Sequence, residues 1–321
     1  MNMKENILVL FNELSEETKA KFRQLCEEND YSIRFFTKKA DMQPYLGEAT
    51  IIHGGGADLV TGAPKLKWFS SASAGVNHYF KPGVLRDDIV LTNSAGAYGL
   101  SISEHMIMVA LMLLRRMPEY YELVNERTWK NSLPQRSLYG SRITVLGTGD
   151  IGSNFAKRVR VFEPASLTGV NRSGRAVEGF DKCVKISELD SLLPETDLLF
   201  MAVPETKETI NLLNAERLAL LPETSYVINV GRGTAIDEAA IKDALDNGRL
   251  AGAALDVFVT EPLPADSPLY GTKNLIITPH CSGQTTLPYT RVRNIQMFYE
   301  NLCHYAKGEP LEHVVDRDRQ Y

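Results

Sequence analysis

Short runs of apolar and β-branched residues recur along the chain, at 6–11, 49–53, 66–70, 89–92, 142–146, 165–170, 198–203, 226–230, 251–255 and 275–278. Between most of them lie stretches of 10–20 residues with helical spacing. This alternation constrains the fold more than any other feature, because strand–helix succession builds parallel sheets with crossover helices. The runs at 143–147 (ITVLG) and 227–231 (VINVG) are apolar without a break, as strands buried on both faces must be. Helix punctuation agrees. Ser101 and Glu104 have capping-box spacing ahead of the apolar run from Met106, and Ser187 with Asp190 marks a similar start. Asp237 is placed to cap a helix reaching Asp246, with Asn247-Gly248 as its stop.

A length of 321 residues predicts two domains at roughly 150 residues each. With 44% hydrophobic and 23% charged residues the chain is not disordered. A net charge of −5 with scattered Lys and Arg argues against a general nucleic-acid binder. The longest apolar candidate, 106–114, stops at Arg115, well short of the roughly 18–20 residues that span a bilayer. The run 7–11 is too short for a signal peptide and meets Glu13, Glu16 and Glu17 at once. Cys26, Cys183, Cys281 and Cys303 form no CxxC pair, and neither they nor the histidines have metal-ligand spacing, so no metal is assigned. Reduced thiols point to a cytoplasmic protein. No Gly/Ser linker appears, so the boundary between domains is expected to be packed and crossed more than once.

Gly147, Gly149 and Gly152 form G-x-G-x-x-G, with Asp150 and Ile151 opening the helix that follows a strand. The first glycine permits a tight turn, the second lets a pyrophosphate approach the backbone, and the third allows close helix–strand packing. The helix N-terminus then presents free N–H groups to phosphates. About 20 residues on, NAD sites carry Asp or Glu for the ribose 2′-hydroxyl. This chain has Asn171, Arg172, Ser173, Gly174 and Arg175 there. Two guanidinium groups and no carboxylate fit a 2′-phosphate, so NADP is expected rather than NAD. By the rule that ligands sit at the C-terminal ends of parallel strands, Val203, Pro204, Val230, Gly231 and Gly283 are expected beside the cofactor.

Three late motifs, each just after an expected strand, carry Arg232, Glu261 and His280. Hydride transfer between a nicotinamide and a 2-hydroxy acid moves a proton on or off an oxygen, which suits a histidine. A neighbouring Glu orients the imidazole and favours its charged form. An Arg grips a carboxylate and polarises a carbonyl. Singly, each has a plain structural reading: a loop histidine, a surface acid, an ion-pair partner. Three at successive strand ends downstream of a phosphate turn point to one site.

On these residues the chain resembles the D-isomer-specific 2-hydroxyacid dehydrogenase family over essentially its full length. The strand and glycine turn at 143–152, N-x-x-R-G at 229–233, D-V-F-x-x-E-P-L-P at 256–264 and T-P-H at 278–280 carry the resemblance. It implies that Arg232 binds substrate, that Glu261 pairs with the acid/base His280, and that Asp256 contacts the nicotinamide carboxamide. Upstream, 73–77 (SAGVN) resembles the turn whose backbone N–H groups hold the substrate carboxylate, which makes Gly75 and Val76 substrate-binding candidates. The implied fold is α/β, with two doubly wound parallel-sheet domains. A Rossmann cofactor domain (99–285) is inserted into a flavodoxin-like substrate domain (1–98 with 286–321). Closure over the ligand, to exclude water, is expected. The implied activity is NADP-linked reduction of a small 2-keto acid to the D-hydroxy acid, by a homodimer. The alternatives are an NAD-dependent phosphoglycerate-type dehydrogenase and a non-catalytic NAD(P)H-sensing interaction protein. A formate dehydrogenase is disfavoured, since that branch has Gln where Glu261 stands.

Two features are treated as decoys. Cys281, beside His280, reads as a small buried residue rather than a redox switch. His53-Gly54-Gly55-Gly56 mimics an esterase oxyanion loop, but no G-x-S-x-G elbow accompanies it; the loop is instead a candidate lining of the substrate pocket.

Overall fold

The computed structural model describes residues 4–318. It divides into two compact units, one contiguous from Tyr98 to Leu287 and one made from the chain up to Ala97 together with the part from Pro288 onward.

The two-segment unit opens with β1 (Glu5–Leu10), α1 (Glu16–Glu28), β2 (Tyr31–Phe36), β3 (Ile51–His53), α2 (Ala57–Thr61), β4 (Trp68–Ser70) and β5 (Val90–Thr92). Its sheet has the order β2-β1-β3-β4-β5, with every pairing parallel. This is the flavodoxin-like order. Side chains alternate across a strand, and both faces are apolar. Ile7 and Val9 of β1 pack with Phe22, Cys26 and Trp68, whereas Leu8 packs with Met42, Leu59 and Phe69.

The contiguous unit contains α3 (Gly99–Leu114), α4 (Met117–Asn125), β6 (Arg142–Leu146), α5 (Asp150–Val159), β7 (Ser166–Asn171), β8 (Lys182–Lys185), α6 (Leu189–Leu192), β9 (Leu198–Met201), α7 (Ala215–Leu220), β10 (Tyr226–Asn229), α8 (Glu238–Asp246), β11 (Gly252–Leu255) and β12 (Leu275–Ile277). Its seven strands run β12-β11-β10-β9-β6-β7-β8, all parallel. Counted from β6, that is the Rossmann order with one added strand. The order reverses between β6 and β9, so the switch point lies at the end of β6. The chain then returns through α9 (Pro288–Lys307), whose Ile295, Phe298 and Leu302 cover the Ile7–Val9 face.

Local signals fared unevenly. Asp237 caps α8 by accepting from the amides of Ala239 and Ala240 at 3.1 and 3.0 Å. Ser101 does not cap α3. The helix starts at Gly99, and Ser101 Oγ, inside it, donates back to the Tyr98 carbonyl at 3.1 Å. At the second expected start, Glu188 rather than Ser187 turns the chain, accepting from the Lys185 amide at 3.0 Å. Strands β2 and β8 were not anticipated. Both are half-exposed edge strands without a continuous apolar run. Among the described residues no helix is long and apolar enough to cross a membrane, and no group of His, Cys, Asp or Glu is arranged to hold a metal ion.

Candidate active site

The glycine turn follows β6 at the switch point. Gly147 has φ +96°, and a Cβ on it would lie 2.6 Å from the Ala202 carbonyl oxygen. A Cβ on Gly152 would lie 2.0 Å from the Gly147 oxygen. Both positions therefore exclude a side chain, one by conformation and contact, the other by contact alone. Gly149 differs, because nothing lies within 4 Å of where its Cβ would be. It is also the N-cap of α5 and offers no capping side chain. No side chain of Gly149 itself therefore occupies the N-terminus of α5, which Asp150 and Ile151 open. A pyrophosphate fits such a place, since helix N-termini favour anions.

Beyond β7 the chain turns through 171–175. Asn171 shapes this turn: its Nδ2 donates to Thr148 Oγ1 at 3.1 Å and to the Arg175 carbonyl at 3.0 Å, and its Oδ1 accepts from the Ser173 amide at 3.2 Å. Arg172 and Arg175 are exposed, and neither forms an ion pair among the described residues. Lys185 pairs with Asn171 across β7 and β8, and its side chain lies beside Gly174. It adds a third cation that the sequence could not place, because β8 was not recognised.

Val203, Val230 and Gly231 end β9 and β10 and are buried. A Cβ on Gly231 would lie 2.6 Å from the Val203 oxygen, so the two loops touch. Pro204 next to them is exposed. Asn229 organises the turn that carries Arg232, accepting from the Gly231 amide at 3.0 Å and donating to the Arg232 carbonyl at 2.9 Å. Arg232 is half-buried, with Nη1 donating to the Gly231 carbonyl at 2.7 Å. Burial pulls its pKa down, and the charges of Glu205 and then Glu261 oppose that fall. Glu205, which sequence reasoning passed over, also accepts from Thr234 Oγ1 at 2.7 Å.

His280 Nδ1 lies 2.7 Å from Glu261 Oε2. A carboxylate only accepts, so Nδ1 carries the proton. The other Glu261 oxygen takes the Phe258 amide at 2.9 Å, which fixes the carboxylate's orientation. Nε2 of His280 has no partner among the described residues, and the side chain is 52% exposed. Asp256 is 1% exposed. Its carboxylate accepts from Thr278 Oγ1 (2.6 Å), the Cys281 amide (2.9 Å) and the Ser282 amide (3.1 Å). Its lone pairs therefore serve chiefly the loop that carries His280. Burial and then the Asp256 charge push the Cys281 thiol up. That disfavours the thiolate, but Cys281 is exposed and is not the small buried residue expected from the sequence. Gly283 packs against Tyr98 and Ile102.

In the other unit, the turn 73–77 is held from several sides. Asn294 Nδ2 of α9 donates to the Ala72 carbonyl (2.7 Å), Asn93 Nδ2 to the Ala74 carbonyl (3.1 Å), and the Ser94 amide to the Ser73 carbonyl (3.2 Å). Val76 is 1% exposed and its side chain belongs to the core, so it offers a ligand only its backbone. The amides of Gly75 and Val76 have no acceptor among the described residues. His53 is 0% exposed and is not a lining residue. It stacks on Phe298 with centroids 4.4 Å apart, and its Nδ1 lies 3.0 Å from Ser70 Oγ.

A phosphate-binding turn at a Rossmann switch point, on the same sheet edge as an oriented histidine, defines a class: an oxidoreductase working with a nicotinamide dinucleotide. The family profile described as D-isomer specific 2-hydroxyacid dehydrogenase, NAD binding domain, matches residues 107–282. A glyoxylate reductase from Thermofilum pendens is 33% identical over 267 residues, covering 82% of this chain and 78% of that one. A D-isomer specific 2-hydroxyacid dehydrogenase family protein from Aeromonas salmonicida superposes with TM-score 0.85 at 36% identity, covering 98% of this chain and all of that one. An NADPH-dependent glyoxylate/hydroxypyruvate reductase from Sinorhizobium meliloti, solved with NADP and sulfate, superposes with TM-score 0.82 at 28% identity over 99% of this chain and all of that one. The chain belongs to the D-isomer specific 2-hydroxyacid dehydrogenase family.

Proposed function

We propose that this enzyme reduces a small 2-keto acid, of the glyoxylate or hydroxypyruvate kind, with NADPH as its preferred reductant. The observation that carries the reading is the His280–Glu261 pair, 2.7 Å at Nδ1 with Nε2 open. When bound, the reduced nicotinamide supplies the hydride that reaches C2 of the keto acid. Arg232 binds the substrate carboxylate and polarises the carbonyl as negative charge develops on its oxygen. The doubly protonated His280 donates its Nε2 proton to that oxygen, and Glu261 stabilises the imidazolium until then. In the other unit, the amides of Gly75 and Val76, without an acceptor among the described residues, are the candidate substrate-binding groups. Gly147, Gly149, Asp150, Ile151 and Gly152 hold the pyrophosphate, and Val203, Pro204, Val230, Gly231, Asp256 and Gly283 line the nicotinamide side. Arg172, Ser173, Arg175 and Lys185 receive the 2′-phosphate, which no carboxylate in the 171–175 turn repels.

The enzyme is further assigned as a cytoplasmic homodimer. Four free thiols support the compartment. The exposed Met108, Tyr121, Val124 and Trp129 of the 108–129 segment support self-association.

The test is NADPH oxidation against glyoxylate, hydroxypyruvate, pyruvate and branched 2-keto acids. Turnover with the first two is expected, and Arg232→Ala should lose most of it at saturating cofactor. Tight NADPH binding with no turnover on any acid would refute the reading and favour a cofactor-sensing protein.

A further inference from the structure

We propose that His105 is a positioning residue for His280, acting through Thr278 and Asp256. The proposal rests on the assignment of His280 as the proton donor.

His280 sits at φ +49°. A residue with a Cβ rarely adopts that region, so its surroundings have to impose it. Asp256 is the main source of the constraint. Its backbone oxygen accepts the His280 amide at 2.8 Å. Its carboxylate binds Thr278 ahead of His280 and the amides of Cys281 and Ser282 behind it. Every residue of the loop from 278 to 282 except Pro279 thus hangs on one buried residue, His280 through its backbone oxygen and the others through its carboxylate.

The direction of the bonds continues outward. Thr278 has one hydroxyl proton, and at 2.6 Å it goes to Asp256 Oδ1, which can only accept. Thr278 Oγ1 also lies 3.3 Å from His105 Nε2. With its proton already committed, the hydroxyl accepts there, and His105 donates from Nε2. The chain His105 Nε2–H to Thr278 Oγ1–H to Asp256 Oδ1 runs one way, and each bond polarises the next. Burial pulls the His105 imidazole's pKa down, so the ring is neutral near pH 7 and its single proton is the one this chain fixes. His105 lies on α3, and Thr278 directly follows β12. The network therefore ties the catalytic loop to the long helix rather than to its own strand alone.

The test compares steady-state turnover, NADPH affinity and melting temperature in the full-length protein. Thr278→Val and His105→Leu each remove a link without much change of volume, and each should lower kcat about ten-fold. NADPH affinity should stay within about two-fold, because the phosphate-binding turn is untouched. Thr278→Ser and His105→Gln keep a donor in place and should recover most of the loss. The double variant His105→Leu/Thr278→Val should be no worse than Thr278→Val alone, as expected for links in one chain. His280→Ala separates the two layers of the argument. If it abolishes turnover while His105→Leu and Thr278→Val stay at wild-type kcat, the positioning role is overturned and the proton-donor assignment stands. If His280→Ala leaves turnover intact, both fall. A loss in His105→Leu that His105→Gln does not restore, with a parallel drop in melting temperature, would mark His105 as packing only and overturn the proposal.

Discussion

Arg232 is held between opposing influences. Burial disfavours its charge, and Glu205 and Glu261 sustain it. Glu205 therefore has a cost for a monoanionic substrate: it is a second negative charge competing for the guanidinium that should hold the substrate carboxylate. Glu205→Gln keeps an acceptor for Thr234 Oγ1 and removes the charge. The expected outcome is a KM for glyoxylate about three-fold lower, with kcat little changed. An unchanged KM would show that Glu205 does not compete for Arg232, and a higher one that it supports substrate binding instead. This residue also shows where sequence reading stops. Arg232, Glu261 and His280 were legible because each sits in a short motif at a strand end. Glu205 was not, because its role depends on β9 and β10 being neighbours in the sheet. His105 and Thr278 are 173 positions apart, and no local pattern connects them.

At the scale of elements, the turn after β7 is where the proposed preference for NADPH has its test. Its shape comes from Asn171, and among the described residues the side chains of Arg172 and Arg175 make no hydrogen bond or ion pair. Replacing both arginines by alanine removes charge-assisted contacts to a 2′-phosphate and nothing that a 2′-hydroxyl needs. The KM for NADPH should rise by roughly thirty-fold while that for NADH stays within about two-fold. Equal effects on both cofactors would place the arginines outside the ribose site. The central strands were readable because burial on both faces demands an unbroken apolar run. The edge strands β2 and β8 lack that demand, and with β8 went the recognition of Lys185. Helix starts were harder still. Ser101 has the chemistry of a cap, but the backbone was already helical two residues earlier, and its hydroxyl turned back to Tyr98.

For the molecule as a whole, the buried His53 predicts acid sensitivity. Burial pushes its imidazole down to about 3 from an ordinary 6.5, with the Asn294 side chain partly opposing the shift. Above pH 6.5 neither the folded nor the unfolded chain holds the extra proton, and the stability is fully present. As pH falls below 6.5 the unfolded chain takes up a proton that the folded unit refuses. Stability is then lost by about 1.4 kcal/mol per pH unit, or about 2 kcal/mol by pH 5. His105, also shifted down by burial, adds in the same sense. Urea unfolding at pH 7 and pH 5 should therefore show a drop that His53→Gln reduces. An equal drop in the variant would assign the acid sensitivity to other groups.

The return of α9 to the first sheet also sets the order in which the protein is made. As the chain leaves the ribosome, β1–β5 emerge well before the helix that helps cover Ile7, Val9, Ile51 and Trp68. The contiguous unit from Tyr98 to Leu287 can close its own core as soon as it appears. The earlier-born sheet waits through some 190 further residues with one apolar face only partly covered, by Phe22 and Cys26 of α1. The sheet made before the contiguous unit thus completes its folding after it, and it is there that chaperone capture and aggregation are to be expected during synthesis.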